Sequence, residues 1–494
     1  MKTTYQFTLS ALSAALFLAI GAAQAATTIV IQSRDPAGVG FNDPTVVLPV
    51  GGNAGTTLGQ QRLNVYRRAA DIWEANLTSN VNIVVSAGWE ALTCNAGSAV
   101  LGSAGAWNVW RSQDVAGLPL ANTWYPQALA NKLVGFDIPT AVGQVDDGSG
   151  FGNVDIKTQF NVNLGNANCL AGRTFYLGLD GNAGNNVNFL TTLLHELGHG
   201  LGFSLLTTSS ASGARFDSSP SVWEGFMYDN TAAKTWLQMT DAERAASAIN
   251  PRKLGWNGAN AVAGVPQVLA AGTTSTVTVG GPAAGPTAGN KVHGAASFGP
   301  PLNPSPVAAD LMPVVDQAIG GLGLACNPLS ATNAAAVSGR IALIDRGVCG
   351  FIVKVKNAQN AGAKGVLIAD NVVAGISGLG GTDATITIPS VRILKVDGDA
   401  LKLRLKTRSR GSSGVYVTMV APLNGLYAGA DAGGRPLLYT PNPREPGSSV
   451  SHFDVTAAPN QLMEPFINSD LTTTVKPPKD LTLPLLLDLG WTAP

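Results

Sequence analysis

Histidine, cysteine and charge are all scarce in this chain, and each shortage narrows what it can be. Asp, Glu, Lys and Arg make up only 13% of the 494 residues, and 31 basic side chains are balanced by 31 acidic ones. A chain with no excess of either sign lacks the electrostatic means to hold nucleic acid or an anionic membrane surface. Beyond residue 25 no apolar run approaches the roughly 20 residues of a membrane-spanning helix, so no span is expected. The four cysteines, Cys94, Cys169, Cys326 and Cys349, never fall in a C-x-x-C spacing, which argues against a cysteine-ligated zinc. Histidine occurs only at His195, His199, His293 and His452, so any histidine site must be drawn from these four.

What is present suits an exported protein. Lys2, the apolar run "ALSAALFLAIGAA" and the small residues Ala23-Gln24-Ala25 predict a secretory leader over residues 1–25, with export to the periplasm or beyond. A hydrophobic fraction of 45% can build real cores, while 58 glycines and 29 prolines describe a loop-rich surface. Four cysteines in an oxidising compartment predict two disulfides. Spacing pairs Cys326 with Cys349 and leaves Cys94 with Cys169, two other connectivities remaining open.

Periodicity predicts a helix in "TLGQQRLNVYRRAADIWEANL", with Leu63, Tyr66, Ala70, Trp73 and Leu77 on its inner face, then a strand in "VNIVVSAGW". A second helix, "VNFLTTLLHELGHGL", carries a buried stripe of Leu190, Leu193, Leu194, Leu197 and Leu201. It contains H-E-x-x-H. Residues four apart on a helix lie about 40° apart around its axis, so His195 and His199 face one ion, with Glu196 beside them. A zinc site needs a further protein ligand, and Leu205 stands where the extended form of the motif would place a third histidine.

Candidates for that ligand lie further along. Glu224 in "VWEGFMYDN" would serve only from a second helix, which an aromatic-rich stretch broken by Gly225 forms poorly. Asp217 in "ARFDSS" reads as a turn residue, and His293 in "NKVHGAAS" as a surface or packing residue. His452 in "SSVSHFD" is followed eleven residues later by Met463 in "LMEP". Ser451-His452-Phe453-Asp454 with Leu462, Met463 and Pro465 resembles the distant third-histidine segment and methionine turn of leishmanolysin-like metzincins. That resemblance implies zinc held by His195, His199 and His452, Glu196 as catalytic base, and Met463 as an apolar floor that does not bind the metal.

Between about 266 and 300 the composition shifts to Gly, Pro, Ala and Thr, marking a boundary. Beyond it, "GRIALIDRGVCGFIVKVKNAQNAGAKGVLIADN" predicts strand, turn, helix and strand. Asp345, Arg346, Gly347, Cys349, Phe351, Lys356, Asn357, Ala358, Ala361, Gly362 and Ala363 closely resemble the signature of the protease-associated (PA) domain. From about 423 the earlier style of sequence resumes, so the PA unit reads as an insertion.

The expected fold is therefore α+β: a zincin-like metallopeptidase domain over 26–265 and 423–494, interrupted by an α/β PA domain over 266–422. The expected function is a secreted zinc endopeptidase acting on proteins or peptides, with one catalytic zinc ion and no assignment for calcium. Its PA domain serves as a recognition surface or lid, or as a spacer. The alternative is an exported binding or adhesion protein that keeps the fold without turnover. A two-zinc aminopeptidase would need additional Asp, Glu and His ligands that the sequence does not group together.

Overall fold

The computed structural model describes residues 27–144, 152–315, 323–373, 377–468 and 470–494. The expected leader lies outside them. No helix among the described residues is long and apolar enough to cross a membrane. The chain divides into two compact units, one formed by Met1–Leu269 with Gly429–Pro494 and the other by Ala270–Ala428.

The first unit is a mixed α/β structure. Its main sheet comprises β1 (Ile29–Ser33), β2 (Ile83–Glu90), β3 (Gly102–Ala106) and β4 (Ile156–Asn161) in the order β1-β2-β4-β3. The first three strands in that order run parallel, while β3 pairs antiparallel with β4 at the edge, Ala104 opposite Thr158. Two helices pack together beside the sheet, α1 (Leu58–Glu74) and α3 (Phe189–Gly200), with α2 (Gln127–Val134) between them in sequence.

Thr57 caps α1 by accepting a hydrogen bond from the Gln60 amide at 3.2 Å. The inner face of α1 is Val65, Tyr66, Ala69, Ala70 and Trp73, with Leu77 buried just beyond the helix end; Leu63, expected on that face, is exposed. A chain of 3- and 4-residue steps fits a wide apolar stripe at either edge, and Val65 and Ala69 move its centre away from Leu63. The expected stripe on α3, Leu190, Leu193, Leu194, Leu197 and Leu201, is buried throughout, and the burial extends beyond it. Every residue from Phe189 to Gly200 is buried, so α3 has no solvent face at all.

The C-terminal segment completes this unit. Trp491 donates through Nε1 to the Leu201 carbonyl at 2.8 Å, tying the chain end to the exit of α3. Asp488, on the helix Thr482–Leu489, accepts from the amides of Asn260 at 2.7 Å and Ala261 at 3.1 Å, and so caps the helix Ala259–Val268.

The second unit holds an eight-stranded sheet. Its six longer strands are β5 (Thr276–Gly280), β6 (Val307–Pro313), β7 (Ile341–Asp345), β8 (Gly365–Ala369), β9 (Ser390–Ile393) and β10 (Tyr416–Val420), ordered β5-β10-β6-β7-β8-β9. β6 to β9 are parallel. Parallel strands are covered on both faces and read as continuous apolar runs. Accordingly Ile341 and Leu343 of β7 enter one core while Ala342 and Ile344 enter the other. Helices α4 (Phe351–Asn360) and α5 (Lys395–Arg404) follow β7 and β9.

The unit begins and ends in a two-stranded antiparallel ribbon of Ala271–Thr273 with Leu423–Tyr427, and the Ala428 amide donates to the Ala270 carbonyl at 2.9 Å. Its two ends are therefore neighbours. The compact unit runs four residues later at its start and six later at its end than the 266–422 read from composition. Cys94 is bonded to Cys169, and Cys326 to Cys349.

Candidate metal centre

The centre is built on α3. Asn188 caps its start by accepting from the Thr191 amide at 3.3 Å. Its end is a Schellman turn: the Gly202 amide donates to the His199 carbonyl and the Phe203 amide to the Gly198 carbonyl, both at 3.0 Å. Gly202 has φ +117°, a conformation that disfavours any side chain. The turn folds the Phe203 carbonyl back to His199, whose Nδ1 lies 2.7 Å from it.

The other two histidines are held the same way. His195 Nδ1 lies 2.7 Å from the Leu462 carbonyl, and His452 Nδ1 lies 2.8 Å from the Ser448 carbonyl. A carbonyl can only accept, so each Nδ1 carries the proton and each Nε2 presents a bare lone pair. Those three Nε2 atoms face one another at 3.1, 3.2 and 3.3 Å. Burial pulls the His195 imidazole down to about 4 and that of His199 to about 3, and puts His452 well below its ordinary value, its two neighbours adding to the effect.

Three neutral acceptors pointing at one space cannot hydrogen-bond to each other, but they can share a cation. A tetrahedral zinc ion with nitrogen ligands at about 2.0–2.1 Å spaces them about 3.3–3.4 Å apart, which fits the observed triangle and leaves a fourth position. Among the described residues, His195, His199 and His452 are the group of histidine, cysteine and carboxylate side chains close enough to hold a metal.

The segment that supplies His452 is locked to the rest of the centre. Its Phe453 amide donates to the Met463 carbonyl at 2.8 Å, and Ser451 Oγ accepts from the Leu205 amide at 3.1 Å. Met463 is wholly buried against α3. Asp480 fixes the turn by accepting from the Leu462 amide at 2.6 Å. Glu196 is buried, which pushes its carboxyl up to about 8 against a hydrogen bond from the Ala104 amide on edge strand β3.

The rival ligands are engaged elsewhere. Glu224 lies in a short 3-10 helix, Val222–Phe226, fully buried. Its carboxylate accepts from Thr208 Oγ1 at 2.5 Å and the Ser221 amide at 3.0 Å, and pairs with Arg215 at 2.7 Å. Asp217 pairs with Arg111 at 2.5 Å near the surface. His293 belongs to the second unit, 2.9 Å from Ser275 Oγ. Sequence reasoning missed the three carbonyls of Phe203, Ser448 and Leu462, because a backbone acceptor has no residue signature. It also passed over Asp480, one acid among 31 acidic residues with no pattern around it.

Comparison with known proteins speaks to the second unit. The PA domain family matches residues 309–401. The second unit contains a PA domain. Its curated relatives include vacuolar-sorting receptor 5 of Arabidopsis thaliana, 39% identical over 89 residues, 16% of this chain and 14% of that protein. Another is the receptor homology region, transmembrane domain- and RING domain-containing protein 1 of Oryza sativa subsp. japonica, 40% identical over 79 residues, 16% of this chain and 15% of that one. The chain thus spans about one seventh of the length of these relatives.

Among solved structures, a zinc aminopeptidase from Bacillus subtilis aligns with 37% of this chain and 38% of its own at 22% identity and a TM-score of 0.23. A subtilisin-like protease from Pseudoalteromonas sp. AS-11 aligns with 32% and 34% at 22% identity and a TM-score of 0.22. TM-scores this low carry no argument about the metal centre.

Proposed function

We propose that the chain is an exported, metzincin-like zinc endopeptidase, zincin-like in its first unit, with the PA domain inserted between the first two metal ligands and the third. The observation that carries this reading is the convergence of three Nε2 lone pairs whose Nδ1 protons are all committed to backbone carbonyls. A zinc ion held by His195, His199 and His452 would supply Lewis-acid polarisation of a scissile carbonyl and a lowered water pKa.

The chain's own groups then divide the work. Glu196 adjoins His195 on α3 and is not one of the three converging ligands; the charge of a bound zinc ion would favour its carboxylate over the protonated form that burial favours, so that it could take a proton from the attacking water and return one to the leaving amine. Among the described residues strand β3 pairs only with β4, so its other side can accept an extended peptide by strand addition, next to the residue that bonds Glu196. Met463 and its turn hold the ligands from below. The PA domain serves substrate recognition, in keeping with the receptor named among its relatives. Export is supported by the leader-like start and by the two disulfides.

The test combines zinc content with casein hydrolysis. The purified protein should bind one zinc per chain and cleave casein internally. Glu196→Gln should keep the zinc and lose about two or more orders of magnitude of activity, as expected for a general base. Full activity in that variant would refute the mechanism. Zinc without hydrolysis by the unaltered chain would leave a binding protein instead.

A further inference from the structure

We infer that Gly198 is a positioning residue for the metal centre: its missing side chain forms a notch in α3 that seats Met463. The inference rests on the zinc reading above and extends it to a residue that binds neither metal nor substrate.

A Cβ built on Gly198 would lie 2.7 Å from Met463 Sδ, closer than a Cβ approaches, and in tight contact with its Cε at 3.3 Å, with Trp73 at 3.8 Å behind. Met463 has no exposed surface, so its side chain has no solvent into which it can swing. An added methyl must therefore displace the turn or repack the methionine within a closed core.

That turn holds two of the three ligands. The Leu462 carbonyl accepts from His195 Nδ1 at 2.7 Å, and the Met463 carbonyl accepts from the Phe453 amide at 2.8 Å, one residue beyond His452. The notch lies between His195 and His199 on the same helix. Moving the turn outward lengthens both bonds at once and spreads the Nε2 triangle, whose sides now span only 3.1–3.3 Å. Loss of the outer partners that orient metal ligands weakens binding by about ten- to hundredfold.

The sign separates this from a general effect on folding. In a helix interior alanine is intrinsically more stable than glycine. A residue with no positioning role should therefore tolerate Gly198→Ala or gain from it. We expect the metal-free variant to keep its helical circular dichroism while its zinc Kd, read by competition with a chromogenic chelator, rises at least about tenfold. The visible absorption of the cobalt(II)-loaded variant should also depart from that of the unaltered chain, because the ligand triangle has changed.

Met463→Ala removes the atoms the methyl would meet. The double variant Gly198→Ala/Met463→Ala should bind zinc as Met463→Ala does, so that the alanine at 198 has no further effect. This comparison carries the test by itself if Gly198→Ala alone does not fold. Unchanged zinc affinity and cobalt spectrum in Gly198→Ala would overturn the inference and leave the zinc reading intact. So would a double variant that binds zinc at least tenfold more weakly than Met463→Ala. No zinc binding by the unaltered chain would remove the reading and the inference together.

Discussion

Replacing His452 by alanine removes one corner of the Nε2 triangle and leaves the other two 3.1 Å apart. A complete protein zinc site contributes about 10–16 kcal/mol at pH 7, so an even share among three protein ligands is about 3–5 kcal/mol each. At about 1.4 kcal/mol per tenfold, the variant should bind zinc about two to four orders of magnitude more weakly. His195 and His199 keep their bonds to the Leu462 and Phe203 carbonyls, so residual binding by two ligands is expected. The assay is zinc competition against a chelator of known affinity, with thermal melting of the metal-free protein as the control for folding. His293→Ala, in the PA-containing unit, should leave zinc affinity unchanged. Glu224→Gln should destabilise the protein by about 3–5 kcal/mol, because it breaks the buried pair with Arg215, yet leave the zinc affinity of the folded chain intact. Native zinc affinity in His452→Ala, or loss of zinc in Glu224→Gln that folds normally, would refute the assignment of the third ligand.

The disulfides should differ in worth according to the loops they close. Removing Cys326–Cys349, separated by 23 residues, should cost about 3 kcal/mol, and removing Cys94–Cys169, separated by 75, about 4–5 kcal/mol. Denaturant melts of the paired serine variants check this order, and a reversed order would contradict the loop-entropy account. In the PA domain, burial alone would raise the Asp370 carboxyl, but hydrogen bonds from Arg346 and Arg392 hold it at about 2. A folded value below the unfolded 3.8 means the unfolded chain binds the proton first, so this contribution is full above about pH 4 and is lost as pH falls toward 2. Asp370→Asn should abolish that acid-side slope in melting temperature and, by leaving Arg392 buried and unpaired, destabilise the domain at pH 7. An unchanged slope between pH 4 and 2 would show that other carboxylates carry it.

By itself the sequence determined what is local. The i, i+4 spacing of His195 and His199 sets both rings on one side of a helix whatever surrounds it, and the glycine at 202 ends that helix because no other residue adopts its backbone so freely. The motif around Asp345 and Phe351 likewise marked a strand, a turn and a helix, since those contacts span few residues. The tertiary structure decided the rest. Periodicity placed Leu63 inside and gave α3 only a stripe, because a short-range pattern does not record how many neighbours enclose a helix. Above all, His452 meets His199 across 253 residues of chain. A motif likeness could nominate it, but its ring reaches the other two because the inserted unit returns to its starting point, Ala428 bonded to Ala270, so a long loop closes with little further entropy cost. The bare nitrogens at the centre exist because the carbonyls of Phe203, Ser448 and Leu462 take the opposite protons, and every residue type carries that same carbonyl.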